Sequence, residues 1–139
     1  MHVTDDTVFA VCECLPNLQE FIIRYNHEID QCIVKIFQLQ NLVKLDLSYN
    51  LSISGLSYIL AMSFLETFNQ KYLNLAYSNI SDEELFKLLE RNPNIRYLNT
   101  SGSFFIRFAD LENLSLIACR GLVLNNDFEM ELKRQNPCL

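Results

Sequence analysis

The phrase Leu42-Val-Lys-Leu45-Asp-Leu47-Ser-Tyr-Asn50 has the form L-x-x-L-x-L-x-x-N, and it recurs along the chain. Recurrence at a set period restricts folding more than any single residue can, because each copy must form the same small unit. One copy holds Leu18, Phe21, Ile23 and Asn26; the next holds Leu42, Leu45, Leu47 and Asn50. A third holds Gln70, Leu73, Leu75 and Ser78, and a fourth Ile95, Leu98, Thr100 and Ser103. The fifth is assigned to Leu111, Leu114, Leu116 and Cys119. First positions are separated by 24, 28, 25 and 16 residues (42−18, 70−42, 95−70, 111−95). All but the last fall near the ~20–29 of one strand-and-helix unit.

A second phrase lies between the copies. Val3-Thr4, Ile29-Asp30, Ile53-Ser54 and Ile80-Ser81 each place an apolar residue before a side chain able to accept from the orphan N–H groups of a helix start. Ser81-x-x-Glu84 extends this to a capping box. Apolar residues follow at helical spacing: Val8, Val11, Cys12; Val34, Phe37; Tyr58, Ala61, Met62; Leu85, Leu88, Leu89. Pro16, Pro93 and Pro137 follow the helices and stop their growth.

Each unit therefore reads as strand, turn and helix, and stacked units cover one another's apolar faces. The phrase resembles the leucine-rich repeat. That resemblance implies an α/β fold: a right-handed solenoid forming a short arc, with parallel strands on the concave face and helices on the convex face. Residues 1–139 read as one array of about five units, incomplete at both ends, with an irregular short unit around 101–110. Residue 3 already stands at the turn-to-helix step, and Asn136-Pro-Cys-Leu139 resembles the start of a further strand. Uncapped ends invite self-association. The 101–110 stretch leaves no room for a full helix, so an extended connection is expected. Its Phe104, Phe105 and Phe108 either pack on the helix side or form an exposed contact patch. Asn26 and Asn50 suit an internal ladder that bonds turn backbone.

Strand alternation aims the signature leucines inward and the residues between them at the concave side. Candidate partner-binding residues there are Arg24, Tyr25, Lys44, Tyr49, Tyr72, Tyr77, Arg96 and Tyr97. Tyr25, Tyr49 and Tyr77 share one position in successive copies, and Tyr72 and Tyr97 share another. Tyrosine and arginine are enriched at binding hot spots. The competing reading makes these tyrosines semi-buried spacers between coils.

Half of the chain is hydrophobic, enough for one array, and the net charge is −6. That balance argues against a general nucleic-acid binder but leaves a basic protein partner open. The Met1-His-Val-Thr-Asp-Asp start lacks the basic and apolar regions of a secretory signal. The uncharged stretch 47–65 is rich in serine, and the repeat accounts for it, so no membrane span is expected. Five cysteines (Cys12, Cys14, Cys32, Cys119, Cys138) are odd in number and scattered, which fits reduced thiols in the cytoplasm or nucleus. Cys12 and Cys14 point to nearly opposite sides of a helix, and His2 and His27 are isolated, so no metal or cofactor is expected. With only Gly55, Gly102 and Gly121 there is no phosphate loop, and no nucleophile–base spacing stands out. The chain reads as a non-enzyme.

Cys119-Arg-Gly-Leu122, the Val3-Thr4-Asp5-Asp6 and Ile80-Ser81-Asp82-Glu83 starts, and the phrases Pro16-Asn-Leu18, Pro93-Asn-Ile95 and Pro137-Cys-Leu139 together resemble the cysteine-containing repeats of F-box proteins. Leu15 and Asn92 stand where that family has cysteine before proline, and Asn26 and Asn50 where it has cysteine at the turn. The resemblance implies substrate recognition for a ubiquitin ligase. No F-box module is visible, and only residues 1–14 precede the first strand phrase. The alternative is a stand-alone regulatory or scaffold repeat protein, such as an inhibitor, a GTPase effector or an assembly factor.

Overall fold

The computed structural model describes residues 3–62, 72–91, 95–102 and 123–125. The elements run α1 (Asp5–Cys14), β1 (Glu20–Ile22), α2 (Ile33–Ile36), β2 (Lys44–Asp46), α3 (Gly55–Met62), β3 (Tyr72–Asn74), α4 (Asp82–Arg91), β4 (Tyr97–Asn99) and β5 (Val123–Asn125). The strands form one open parallel sheet in chain order, β1-β2-β3-β4-β5. The fold is mixed α/β.

The pairing register matches the sequence phrase. Phe21 lies opposite Leu45, Leu45 opposite Leu73, and Leu73 opposite Leu98. Leu42, Leu45, Leu47, Leu73, Leu75 and Leu98 are fully buried. They meet the inner helix residues Val8, Cys12, Ile33, Ile36, Phe37, Tyr58, Ala61, Leu85 and Leu88 in one core. Leu18 and Phe21 are only partly buried; among the described strands β1 has one neighbour, β2.

One expectation is corrected at the fifth unit. The strand beside β4 is Val123–Asn125, with Leu98 opposite Leu124, and not the Leu111–Cys119 phrase. β4 has two flanks, occupied by β3 and β5. Strand starts are then separated by 24, 28, 25 and 26 residues (44−20, 72−44, 97−72, 123−97), so the anomalous spacing of 16 disappears. Leu111, Leu114, Leu116 and Cys119 lie outside the described residues. So do Phe104, Phe105 and Phe108, the 103–110 part of the short unit, and the terminal phrase Asn136-Pro-Cys-Leu139.

The helix starts follow local chemistry, with one departure. The Thr4 side chain accepts from Thr7 N–H at 3.4 Å, and Ser54 from Ser57 N–H at 3.2 Å. Glu84 closes its part of the capping box by accepting from Ser81 N–H at 3.2 Å. Asp30 does not cap its own helix. The four-residue α2 begins at Ile33 after Cys32, with no side-chain cap. Asp30 instead reaches the next unit, accepting from Ser54 N–H at 2.8 Å and Ser57 hydroxyl at 2.6 Å. Asp5 serves the unit after its own in the same way, accepting from the backbone of Asp30, Gln31 and Cys32 at 2.8, 3.1 and 3.2 Å. These carboxylates join successive units where helix N–H groups would otherwise lack partners.

The asparagine ladder is present. Buried Asn50 donates to Ile23 and Leu47 carbonyls at 2.7 and 2.9 Å and accepts from Asn26 N–H at 2.8 Å. Asn26 repeats the pattern one unit earlier, donating to Arg24 carbonyl and accepting from Val3 N–H.

Candidate functional site: the strand face

Parallel pairing sorts the residues between the signature leucines into columns. The first runs Glu20, Lys44, Tyr72, Tyr97, and the second Ile22, Asp46, Asn74, Asn99. Lateral backbone bonds carry the register past the strands. Tyr25 N–H donates to Ser48 carbonyl at 3.4 Å, Tyr49 N–H to Ala76 at 2.9 Å, and Tyr77 N–H to Ser101 at 2.8 Å. A further column of Tyr25, Tyr49, Tyr77 and Gly102 follows from that register.

All four residues of this last column have positive φ: 59°, 62° and 52° for the tyrosines and 71° for Gly102. In a non-glycine residue such a conformation costs of order 1–2 kcal/mol. It also turns the three side chains into parallel rungs. Neighbouring strands sit about 4.8 Å apart, close to the stacking distance of aromatic rings. Ring centroids of Tyr25 and Tyr49, and of Tyr49 and Tyr77, are each 4.4 Å apart, with interplanar angles of 19° and 12°. The ladder ends at Gly102, where an added Cβ would lie 2.6 Å from the Tyr77 ring. Space requires glycine there, and the positive φ suits it. Tyr25 is 63% exposed, Tyr77 41%, and Tyr49 is half-buried between them. They are spacers and accessible side chains at once. Desolvation in the stack, then the adjoining phenols, pushes the Tyr49 hydroxyl above its ordinary pKa.

Tyr72 and Tyr97 stack in the first column at 4.4 Å and 2°. Lys44 lies over the Tyr72 ring at 5.2 Å and 3.9 Å from Glu20. That column therefore runs acid, cation, ring, ring.

Arg24 is the expected contact residue whose surroundings differ most from expectation. Its Nε and Nη2 atoms donate to one oxygen of Asp46 at 2.9 and 2.5 Å. Asp46 is fully buried, and its other oxygen accepts from Ser48 N–H and hydroxyl at 3.0 and 2.7 Å. Asn74 adds a donor at 3.2 Å. Burial opposes the Asp46 charge, but the bonds from Arg24 and Ser48 outweigh it and hold the carboxyl below the ordinary range. Arg24 is thus first an internal counter-ion. Asn74 and Asn99 repeat the local turn, accepting from Ala76 N–H at 3.1 Å and from Ser101 N–H at 3.0 Å.

Of the eight expected residues, five tyrosines and Lys44 come together in these columns. Arg96 is exposed one residue before the second ladder, with Nη1 donating to Ile95 carbonyl at 3.2 Å. Sequence reasoning missed the Arg24–Asp46 pair and the role of Gly102. The latter had a signal, since Gly102 stands 25 residues after Tyr77 in the tyrosine register.

Cys12 is buried and Cys14 exposed, on opposite sides of α1, and Cys32 is buried. Burial pushes the Cys12 and Cys32 thiols up, disfavouring thiolate. Among the described residues no group of three or more His, Cys, Asp or Glu could hold a metal, and no helix is long and apolar enough to cross a membrane. No family model matches the chain, and no curated protein matches it.

Proposed function

We propose that this chain is a leucine-rich-repeat solenoid whose concave strand face binds a protein partner, in the manner of substrate-recognition repeats of F-box-type ubiquitin-ligase adaptors. The observation that carries the binding reading is the stacked column Tyr25–Tyr49–Tyr77, accompanied by Tyr72–Tyr97. Stacking restricts the rings before any partner arrives, so less side-chain entropy is lost on contact. Around them, partly exposed, lie Ser101, Asn74, Asn99 and Gly102. A surface of tyrosine, serine, asparagine and glycine is the composition that binding loops of antibodies use for rigid aromatic contact with adaptable hydrogen bonding. Its charges are paired with opposite ones, Glu20 with Lys44 and Arg24 with the buried Asp46. The ligase role rests on the repeat resemblance alone.

The test pairs capture with turnover. Proteins recovered by the wild-type chain and lost by a folded Tyr49→Ala/Tyr77→Ala variant are the predicted partners. An unchanged set of captured proteins contradicts the strand-face reading. Deleting the gene then separates the two roles: a longer partner half-life supports ligase recognition, and an unchanged half-life supports the stand-alone regulator.

A further inference from the structure

The strand face divides unequally between hydrogen-bond donors and acceptors. The side-chain oxygens of Asp46, Asn74 and Asn99 are all taken by the protein itself. Asp46 accepts from Arg24, Ser48 and Asn74. The Asn74 oxygen accepts from Ala76 N–H, and its amide group donates to Asp46. The Asn99 oxygen accepts from Ser101 N–H at 3.0 Å and from the Ser101 hydroxyl at 2.5 Å. The Asn99 amide group differs. Among the described residues no acceptor meets it, and the residue is partly exposed.

Charge on the face is engaged in the same way. Lys44 lies beside Glu20, and Arg24 is bonded to Asp46. Arg96 stands one residue before the second ladder and donates to Ile95 carbonyl. The face therefore offers a partner aromatic area, the phenol hydroxyls of Tyr25, Tyr49 and Tyr77, and the Asn99 amide. These are donors set beside rings. Their spacing fixes a length. Two rungs of 4.4 Å put the Tyr25 and Tyr77 rings about 9 Å apart, and a polyproline II helix returns to the same side after three residues, about 9.3 Å.

We propose that the strand face takes an uncharged, proline-rich segment in the polyproline II conformation, lying across the strands along the tyrosine column. This rests on the strand-face reading and names its class of partner. A proline residue has a carbonyl and no N–H. Such a segment brings acceptors to a face of donors and carries few donors of its own. An ordinary extended segment brings an N–H at every residue, and a face whose acceptors are taken leaves those groups unpaired. Polyproline II forms before binding, so little chain entropy is lost, and aromatic-lined surfaces suit it. Residues i and i+3 rest on the exposed edges of the Tyr25 and Tyr77 rings, and the Tyr49 hydroxyl meets a carbonyl between them. The absence of charge matches a face whose ions are already paired. A charged segment would have to displace Glu20 from Lys44 or Arg24 from Asp46.

The probe is the capped peptide Pro-Pro-Ala-Pro-Pro-Ala-Pro-Pro, titrated into the full 139-residue chain and followed by calorimetry and NMR of tyrosine rings and asparagine side-chain amides. Saturable binding is expected, insensitive to added salt, with the Tyr49, Tyr77 and Asn99 signals moving most. Tyr77→Gly removes a ring where a φ of 52° suits glycine, and affinity should fall about threefold to tenfold. Asn99→Asp keeps the oxygen that Ser101 bonds and exchanges the donor for an acceptor. Affinity should again fall about threefold to tenfold. Leu60→Ser, at an exposed position on α3, should leave binding unchanged. The proposal is overturned if the proline peptide does not bind, or if capped Ala-Thr-Ala-Ser-Thr-Ala-Thr-Ala binds as well. Steep weakening with salt, or affinity indifferent to both Tyr77→Gly and Asn99→Asp, overturns it too. If the proline peptide fails while Tyr49→Ala/Tyr77→Ala still loses captured proteins, the strand-face reading stands and only its proline-rich partner is withdrawn. An unchanged captured set removes both.

Discussion

Asp46 shows how one residue can look like surface in the sequence and act as core in the fold. Alternation places it on the strand face, yet it is fully buried and accepts from Arg24, Ser48 and Asn74. Nothing in the local phrase L-D-L-S distinguishes a solvated aspartate from one joining three strands, because Arg24 and Asn74 are 22 and 28 residues away. The consequence is pH dependence of a definite sign. A carboxyl held below its unfolded value near 4 binds fewer protons in the folded state. Its contribution to stability is therefore complete above about pH 4 and is lost as pH falls through the depressed folded value. Asp5 adds to the same acid limb. Burial opposes its charge, but the backbone N–H groups of Asp30, Cys32 and Gln31 hold its pKa down. Chemical denaturation between pH 6 and pH 3 should show wild type losing stability more steeply than Asp46→Asn. Parallel curves would mean that the Arg24–Asp46 pair contributes no differential proton binding.

The units themselves were legible because their signals are short-range and periodic. Apolar spacing within Val8–Cys12 and Leu85–Leu88, and the caps at Thr4, Ser54 and Ser81, depend on residues within one turn of each other. Two elements escaped for different reasons. Asp30 resembles a cap, but α2 is too short to use it and the next unit offers better donors. For the fifth strand, leucine spacing alone selects Leu111–Leu116. The lateral phrase Tyr72-Leu-Asn74, Tyr97-Leu-Asn99, Val123-Leu-Asn125 selects the strand that pairs. The tyrosine column was visible as a register, but its positive φ was not, since asparagine and glycine are the usual occupants of that region. The ladder makes a contrast testable. Each stacking contact is worth about 0.5–1.5 kcal/mol, and glycine relieves about 1–2 kcal/mol of backbone strain. Tyr25→Gly loses one contact and should change stability by less than about 1 kcal/mol. Tyr49→Gly loses two and opens a ring-wide slot, so it should be the more destabilising, and added p-cresol should restore part of the loss. Equal effects of the two substitutions on urea midpoints, with no p-cresol effect, would argue against a continuous stack.

At the scale of the whole molecule, one geometric fact connects fold to function. Parallel strands in unbroken chain order repeat every unit at the spacing of a sheet, and that spacing is also the spacing at which aromatic rings stack. A side chain repeated in register thereby becomes a continuous strip of surface, and here the repeated side chain is tyrosine. The core leucines hold the strip in place, while the Asp5 and Asp30 carboxylates tie successive units on the helix side. The measurement that tests this account most directly is a nuclear Overhauser spectrum of the chain with tyrosine rings labelled with carbon-13. The account predicts ring-to-ring contacts for Tyr25–Tyr49, Tyr49–Tyr77 and Tyr72–Tyr97, and none for Tyr25–Tyr77. Absent contacts between Tyr49 and its two neighbours, in a folded sample, would contradict the register on which the proposed binding face depends.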